Sequence, residues 1–396
     1  MKKKIIALLL CLLAAVPTNV SAGYWQDIHS GDDSAAVYAD AAPASLSLDC
    51  KAAILMEPLT GRVLYEKNPD QRLPEASITK VMTVLLVLEA LDSGRIGWDD
   101  VVTSSAHAAS MGGSQIWLEE GEQLSVRELL KATMVSSAND ASVALAEHIA
   151  GSHESFVALM NQRAAELGLD GTAYKNCTGL DAEGHLTTAR DVALVCAELM
   201  RHEEVFEFST IWMDTLRNGT LQMTNTNKLI RTYDGITGLK TGTTSQAGCC
   251  VAATAEREGM PLIAVIMGAP NSKTRFACAA SLLDYGFANY SLLDMSTLSV
   301  DTPMIPVVCG MEKELPTQVI LDGHALVPKG RAGDVQIEIT AAPDIAAPVE
   351  PGQTVGTVRL TLDGQVIGER AILTSRGSEA ITFSNVFELL WEGLTG

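Results

Sequence analysis

The chain has 396 residues, a formal net charge of −20, and 47% hydrophobic but only 5% aromatic residues. That length supports more than one domain and a large core. The acidic balance excludes a nucleic-acid binder, which needs a basic footprint, but not an anionic polymer substrate, for which Lys80, Lys240 and Arg275 can supply a local positive patch.

Met1-Lys2-Lys3-Lys4 is a basic start, Ile5 to Val16 a short apolar core, and Val20-Ser21-Ala22 a small-residue cleavage site. Residues 1–22 therefore read as a signal peptide, and the apolar run is too short for an ordinary spanning helix. Cys11 lacks the small residues expected before a lipidated cysteine. The mature chain is expected to start at Gly23 and to be exported to the cell envelope. Residues 23–49, rich in Ala, Ser and Asp, read as a flexible lead-in.

Residues 50–290 read as a mixed α/β domain. A hairpin is predicted from Ala52–Met56 and Arg62–Glu66, turning near Thr60-Gly61. Leu73-Pro74 opens a helix in which Val81, Val84, Leu85 and Leu88 recur at helical spacing up to Ser93-Gly94. Further helices are expected near 126–134, 140–149 and 155–167. Leu239–Thr243, Cys249–Ala253 and Leu262–Met267 read as neighbouring antiparallel strands, and Arg275–Gly286 as a closing helix. Strands at both ends with helices between them predict a helical cluster beside an antiparallel sheet.

Residues 291–375 read as a small all-β domain. Val335, Ile337 and Ile339 alternate with polar residues, as do Val358, Leu360 and Leu362, and Asp363-Gly364 supplies a hairpin turn. A sandwich is expected, with no catalytic constellation. Residues 376–396 read as an amphipathic helix, in which Phe383, Phe387, Leu390, Trp391 and Leu394 share a face. Two readings are open for it: a membrane-surface helix, or a terminal helix docked on the protein's own core. No Lys or Arg follows Arg376, which weakens attraction to anionic lipid.

Three motifs carry the chemistry: Ser77-Ile78-Thr79-Lys80, Ser137-Ala138-Asn139 and Lys240-Thr241-Gly242. Each alone is weak, but their order is the one a penicillin-interacting serine acyl-transfer site requires. A serine hydroxyl needs a base to take its proton. Lys80 lies three residues on and shares a helical face with Ser77. A lysine is protonated at pH 7 unless burial or a second cation lowers its pKa, and Lys240 is the candidate second cation. Ser137 can relay the proton to the leaving amine, and Asn139 can hold a substrate amide.

The seven cysteines after the signal are odd in number and irregularly spaced. Adjacent Cys249 and Cys250 on a strand would point to opposite faces. Buried free thiols are expected for several of them. No histidine spacing fits a zinc motif, so neither metal nor cofactor is expected.

From about Cys50 onward the chain resembles the serine-type D-alanyl-D-alanine carboxypeptidases, low-molecular-mass penicillin-binding proteins of the type-5 group. Beyond the three motifs, Met111-Gly112-Gly113-Ser114-Gln115, Asn176-Cys177-Thr178-Gly179-Leu180, His185-Leu186-Thr187-Thr188-Ala189-Arg190-Asp191 and Gly238-Leu239-Lys240-Thr241-Gly242 carry the likeness. The resemblance implies cleavage of the terminal D-alanine from peptidoglycan stem peptides through a serine acyl-enzyme, and trapping by β-lactams. It implies Ser77 as nucleophile, Lys80 as base, Ser137 and Lys240 in the proton network, and Asn139 on the acyl-side amide. The N–H groups of Ser77 and Thr243 would form the oxyanion hole. Thr241 and Arg275 would bind the terminal carboxylate, with Gly242 and Ser114 also lining the substrate. Several family members carry His after Lys-Thr-Gly, where this chain has Thr243, which puts side-chain contacts there in question.

Three rivals remain open. A class A β-lactamase would need a deacylating glutamate, loosely mimicked by Glu166-Leu167-Gly168-Leu169-Asp170. A cross-link endopeptidase would use the same chemistry. A non-catalytic penicillin-binding sensor would acylate without turnover.

Overall fold

The computed structural model describes residues 46–395, so the signal peptide and all but the end of the lead-in lie outside the described residues. Strands β1 (Ala52–Glu57) and β2 (Arg62–Lys67) form the expected hairpin, with Gly61 at φ 70° in its turn. Ser77 begins no α-helix. It lies in a single 3-10 turn, Ala76–Thr79, that leads directly into helix α1, Lys80–Asp92. Helix α1 buries residues on every side, including Val81, Met82, Val84, Leu85 and Leu88, as a central helix must.

Helix α2 (Val126–Val135) starts at a capping box in which Ser125 and Glu128 satisfy each other's backbone N–H groups. Helices α3 (Asn139–Ala150), α4 (His153–Glu166) and α5 (Ala189–Leu199) complete the cluster. Gly151, at φ 79°, caps α3 in the left-handed conformation. Strands β3 (Ile236–Thr244), β4 (Gly248–Arg257) and β5 (Met260–Ala269) follow, and α6 (Ser272–Asn289) closes the region.

The five strands form one antiparallel sheet in the order β2-β1-β5-β4-β3. On one face Leu55, Val251, Ala253 and Ile266 pack with Cys278, Leu282 and Leu283 of α6. Helix α5 contacts β1 and β5, and α1 packs on α5 and α3. Every residue of β1 is buried, as expected for a strand covered on both faces. The edge strand β3 meets the Ala76–Thr79 turn. That contact positions the site.

The β-rich region starts at β6 (Tyr290–Asp294), directly after α6. Its strands include β7 (Ile305–Val308), β8 (His324–Pro328), β9 (Gln336–Ala341), β10 (Thr354–Leu362) and β11 (Gln365–Thr374). Asp363 and Gly364 both have positive φ, the geometry of a tight two-residue hairpin turn. Ile305 of β7 packs with Val355, Val358 and Ile372 of the β10–β11 sheet, so two small sheets face each other. The alternation around Ile337 and Ile339 does form a strand, but β9 is a sheet edge and both side chains are exposed.

Helix α7 (Phe383–Thr395) is present. Phe383, Phe387, Leu390 and Trp391 are all exposed, so these side chains are not docked on the protein's own core. The rings of Phe383, Phe387 and Trp391 stack in succession instead. All seven described cysteines are free, with only Cys309 exposed. Among the described residues no group of three or more His, Cys, Asp or Glu is placed to hold a metal ion.

Candidate active site

Three segments far apart in sequence converge on Ser77. The 3-10 turn stacks residues three apart, and the Lys80 Nζ lies 3.1 Å from the Ser77 Oγ. Ala76, just before the serine, has φ 53°, a strained value for alanine. Two glycines press on this turn. A Cβ on Gly179 would collide with the Ala76 carbonyl, and one on Gly242 would lie 2.7 Å from the Ser77 nitrogen. Any side chain at either position would displace the turn, so strand β3 and the Asn176–Leu180 loop fix its height.

Lys80 is fully buried and makes two further contacts, 2.6 Å to the Asn139 Oδ1 and 2.7 Å to the Thr178 carbonyl. The Asn139 Nδ2 donates to the Gly112 carbonyl at 2.7 Å, which fixes the amide with its oxygen toward Lys80. Neither the amide oxygen nor the carbonyl has a proton to give. A neutral Lys80 therefore donates its two N–H bonds to these acceptors and turns its lone pair to Ser77, the remaining partner and the one with an O–H.

Burial pushes the Lys80 pKa down to about 7, against smaller upward pulls from Cys177 and Asp140. The expected second-cation effect appears on the other lysine. Lys240, also fully buried, lies well below the usual lysine range, first through burial, then through repulsion from Lys80 and Arg275. Burial comes first among the causes of the Lys80 shift and Lys240 is not among them, so burial rather than Lys240 sets the Lys80 value.

Lys240 donates to the Ser137 Oγ at 2.7 Å and to the Thr241 carbonyl at 3.1 Å. Ser137 has φ 60° and stands two residues before Asn139, the first residue of helix α3. The Asn139 N–H donates to the Ser114 carbonyl at 2.7 Å, so the contact of Ser114 with the site runs through its backbone. Thr241 Oγ1 pairs with Thr226 Oγ1 at 2.7 Å.

Arg275 is buried. Its Nη1 donates to the Gly242 carbonyl (2.9 Å), the Thr243 Oγ1 (2.9 Å) and the Cys250 carbonyl (3.2 Å). One end of the guanidinium thus braces β3 against β4. Thr243 is exposed at the end of this brace and donates its hydroxyl to the Gly242 carbonyl.

Motif reading located Ser77, Lys80, Ser137, Asn139, Lys240, Thr241, Gly242, Thr243 and Arg275, and the fold brings all of them together. It missed the Thr178 carbonyl, whose signal was the Asn-Cys-Thr-Gly-Leu segment. It also missed Thr226 and Asp181, which accepts from the Thr244 and Ser245 hydroxyls. Glu166, the β-lactamase-like glutamate, instead accepts from Gln162 and Arg163 within its own helix.

A serine 3.1 Å from a buried lysine, set between a helical cluster and the edge of an antiparallel sheet, is the arrangement expected of the penicillin-binding serine enzymes. The family model for D-alanyl-D-alanine carboxypeptidases (peptidase S11) matches residues 37–271, and that for the penicillin-binding protein 5 C-terminal domain matches residues 297–380. The chain belongs to the D-alanyl-D-alanine carboxypeptidase family. It is 43% identical to the D-alanyl-D-alanine carboxypeptidase DacF of Bacillus subtilis, over 83% of this chain and 86% of that protein. It is 34% identical to DacC of Escherichia coli, over 87% and 88%. Among solved structures, penicillin-binding protein 5 from Haemophilus influenzae aligns with a TM-score of 0.76 at 32% identity, covering 84% of this chain and 98% of that one. Penicillin-binding protein D2 from Listeria monocytogenes, in its ampicillin-bound form, aligns over 61% of this chain and 99% of that one, with a TM-score of 0.57 at 33% identity.

Proposed function

We propose that Ser77 is the nucleophile that removes the terminal D-alanine from peptidoglycan stem pentapeptides, with Lys80 as its base. The observation that carries this reading is the Lys80 contact set: two protonless acceptors and one serine hydroxyl around a lysine held near neutrality by burial. As Ser77 Oγ bonds to the penultimate D-alanine carbonyl carbon, its proton passes to Lys80. The carbonyl electrons move to the oxygen, which the N–H groups of Ser77 and Thr243 stabilise. When the intermediate collapses, the C–N bond breaks and the leaving D-alanine nitrogen takes a proton through Ser137, whose hydroxyl Lys240 orients. Water then attacks the acyl-serine with Lys80 again as base.

Asn139 anchors Lys80 through its oxygen. Of its two amide hydrogens one is donated to Gly112, and the other remains for the acyl-side carbonyl of the substrate. Thr241, Thr243 and the Arg275 guanidinium receive the terminal carboxylate, with Gly242 and Ser114 also against the substrate. A β-lactam takes the same attack, but its leaving amine stays tethered to the acyl group, which favours a long-lived adduct.

The basic-apolar start of the sequence supports export, where peptidoglycan lies. Among the described residues no helix is long and apolar enough to cross a membrane. The exposed Phe383, Phe387, Leu390 and Trp391 support peripheral contact with a membrane surface.

The test is incubation of the purified chain with a pentapeptide ending in D-Ala-D-Ala and, in parallel, with a cross-linked dimer. Release of free D-alanine from the pentapeptide is expected. Cleavage of the dimer alone would replace this reading with an endopeptidase.

A further inference from the structure

Directly beneath the nucleophile turn lies a buried polar cluster that the mechanism above does not use. Glu75, Thr79 and His185 are each at most 4% exposed. The Thr79 Oγ1 lies 2.8 Å from the His185 Nε2, 3.0 Å from the Glu75 Oε1 and 2.9 Å from the Ala76 carbonyl oxygen. His185 Nε2 also stands 3.6 Å from the Glu75 carboxylate.

The protons of this cluster can be assigned. The backbone N–H of Lys175 donates to the His185 Nδ1 at 3.0 Å. Nδ1 is therefore an acceptor, and the ring proton sits on Nε2. An imidazolium would set an N–H against an N–H there. Nε2–H then donates to Thr79, and the Thr79 hydroxyl shares its one hydrogen between the Ala76 carbonyl and the Glu75 carboxylate. The chain of donation runs from His185 through Thr79 and ends on these two acceptors, one of them the carbonyl of Ala76, the strained residue next to Ser77. The His185 segment is also stitched to the approach to that turn, since Leu73 and Thr187 exchange backbone hydrogen bonds at 2.8 and 3.0 Å.

We propose that Glu75, Thr79 and His185 are positioning residues of the known reaction: a one-directional hydrogen-bond chain that holds the strained Ala76 and so keeps Ser77 aimed at Lys80. A side chain buried merely for packing has no need of a donor at Nε2, whereas this role needs that donor specifically. The inference rests on Ser77 being the nucleophile.

The test uses the two isosteres of neutral histidine in the full chain, with the second-order rate of acylation by a fluorescent penicillin and the melting temperature as readouts. His185→Gln places an amide N–H near the Nε2 position and keeps the donor to Thr79. His185→Asn places its polar atoms near Nδ1 and loses that donor. The Asn variant is expected to acylate about ten-fold more slowly, the scale of one lost positioning hydrogen bond. The Gln variant is expected to stay within about three-fold of wild type at a similar melting temperature. Glu75→Gln is expected to slow acylation without weakening the initial, reversible binding of penicillin. Equal losses in the Asn and Gln variants, or a rate that merely tracks the folded fraction, would overturn the proposal. Peptide mapping of the wild-type adduct separates the two readings: an adduct away from Ser77 would sink the nucleophile assignment and this proposal with it, whereas equal variant losses with the adduct on Ser77 would sink this proposal alone.

Discussion

The α/β region and the β-rich region bury different things. Among the described residues every buried Asp, Glu, Lys, Arg or His precedes Tyr290, with Glu75, Lys80, Asp140, His185, Lys240 and Arg275 among them. Among the described residues beyond Tyr290 the buried polar side chains are only Thr361, Thr374 and Ser378. There the charges stay outside, as in the surface pairs Arg331–Asp363, Arg359–Glu369 and Arg370–Asp322. Taking a charge out of water is expensive unless it is paired or loses its charge. A fold keeps such groups where chemistry needs them, and the contrast locates the chemistry without reference to motif.

The sharpest way to break that contrast is Ser77→Ala, which is expected to abolish both penicillin labelling and D-alanine release. A penicilloyl adduct on the Ala variant, read by intact mass, would refute Ser77 as sole nucleophile. Next is Lys80→Arg, which keeps charge but cannot act as a base near neutrality. Acylation should fall by ~10²-fold or more, and a rate near wild type would show that burying Lys80 serves something other than proton transfer.

The Lys80 pKa of about 7 sharpens the same point. The base works only unprotonated. Because its pKa is depressed, the neutral form dominates above about pH 7 and disappears below it. Acylation should therefore decline as pH falls through that value and level off above it. A stopped-flow pH series giving a flat rate across neutrality would remove the claim.

Arg275 should matter less. Losing it is expected to lower kcat/KM on free-acid substrates by about ten- to a hundred-fold, with a smaller loss on peptides amidated at the terminal carboxylate. Equal loss on both would make Arg275 only the brace of β3 that its contacts with Gly242 and Cys250 already describe. The smallest effect is expected from deleting Phe383–Thr395. Turnover of a short soluble pentapeptide should stay within about two-fold, while sedimentation with lipid vesicles should be lost. A large fall in turnover would tie the tail to the catalytic region after all.

Much of the site was legible because its key spacing is local. Ser77 and Lys80 meet through one helical turn, and Lys240-Thr241-Gly242 through the pleat of one strand. The sheet was legible too, since the strands around Cys249 and Leu262 are long and apolar. What escaped has no local signature. The Thr178 carbonyl is a backbone group, and a carbonyl becomes a ligand only once a loop folds over it. Glu75 looks like a solvated helix-start carboxylate until β3 and the 173–187 segment cover it. Ile337 and Ile339 show the reverse failure. Alternation predicts a strand, but not whether anything will pack on its apolar face.

The site also has a consequence for when the enzyme becomes dangerous to inhibit. Its contacts join residues 59, 98 and 103 positions apart, in Lys80–Asn139, Lys80–Thr178 and Ser137–Lys240. Closing such long loops comes late in folding. A chain still being synthesised has Ser77 and Lys80 made long before Lys240 arrives, and so carries that serine without its lysine-held surroundings. Antibiotic capture would then count only completed molecules, making a fluorescent penicillin a probe of finished folding as well as of activity.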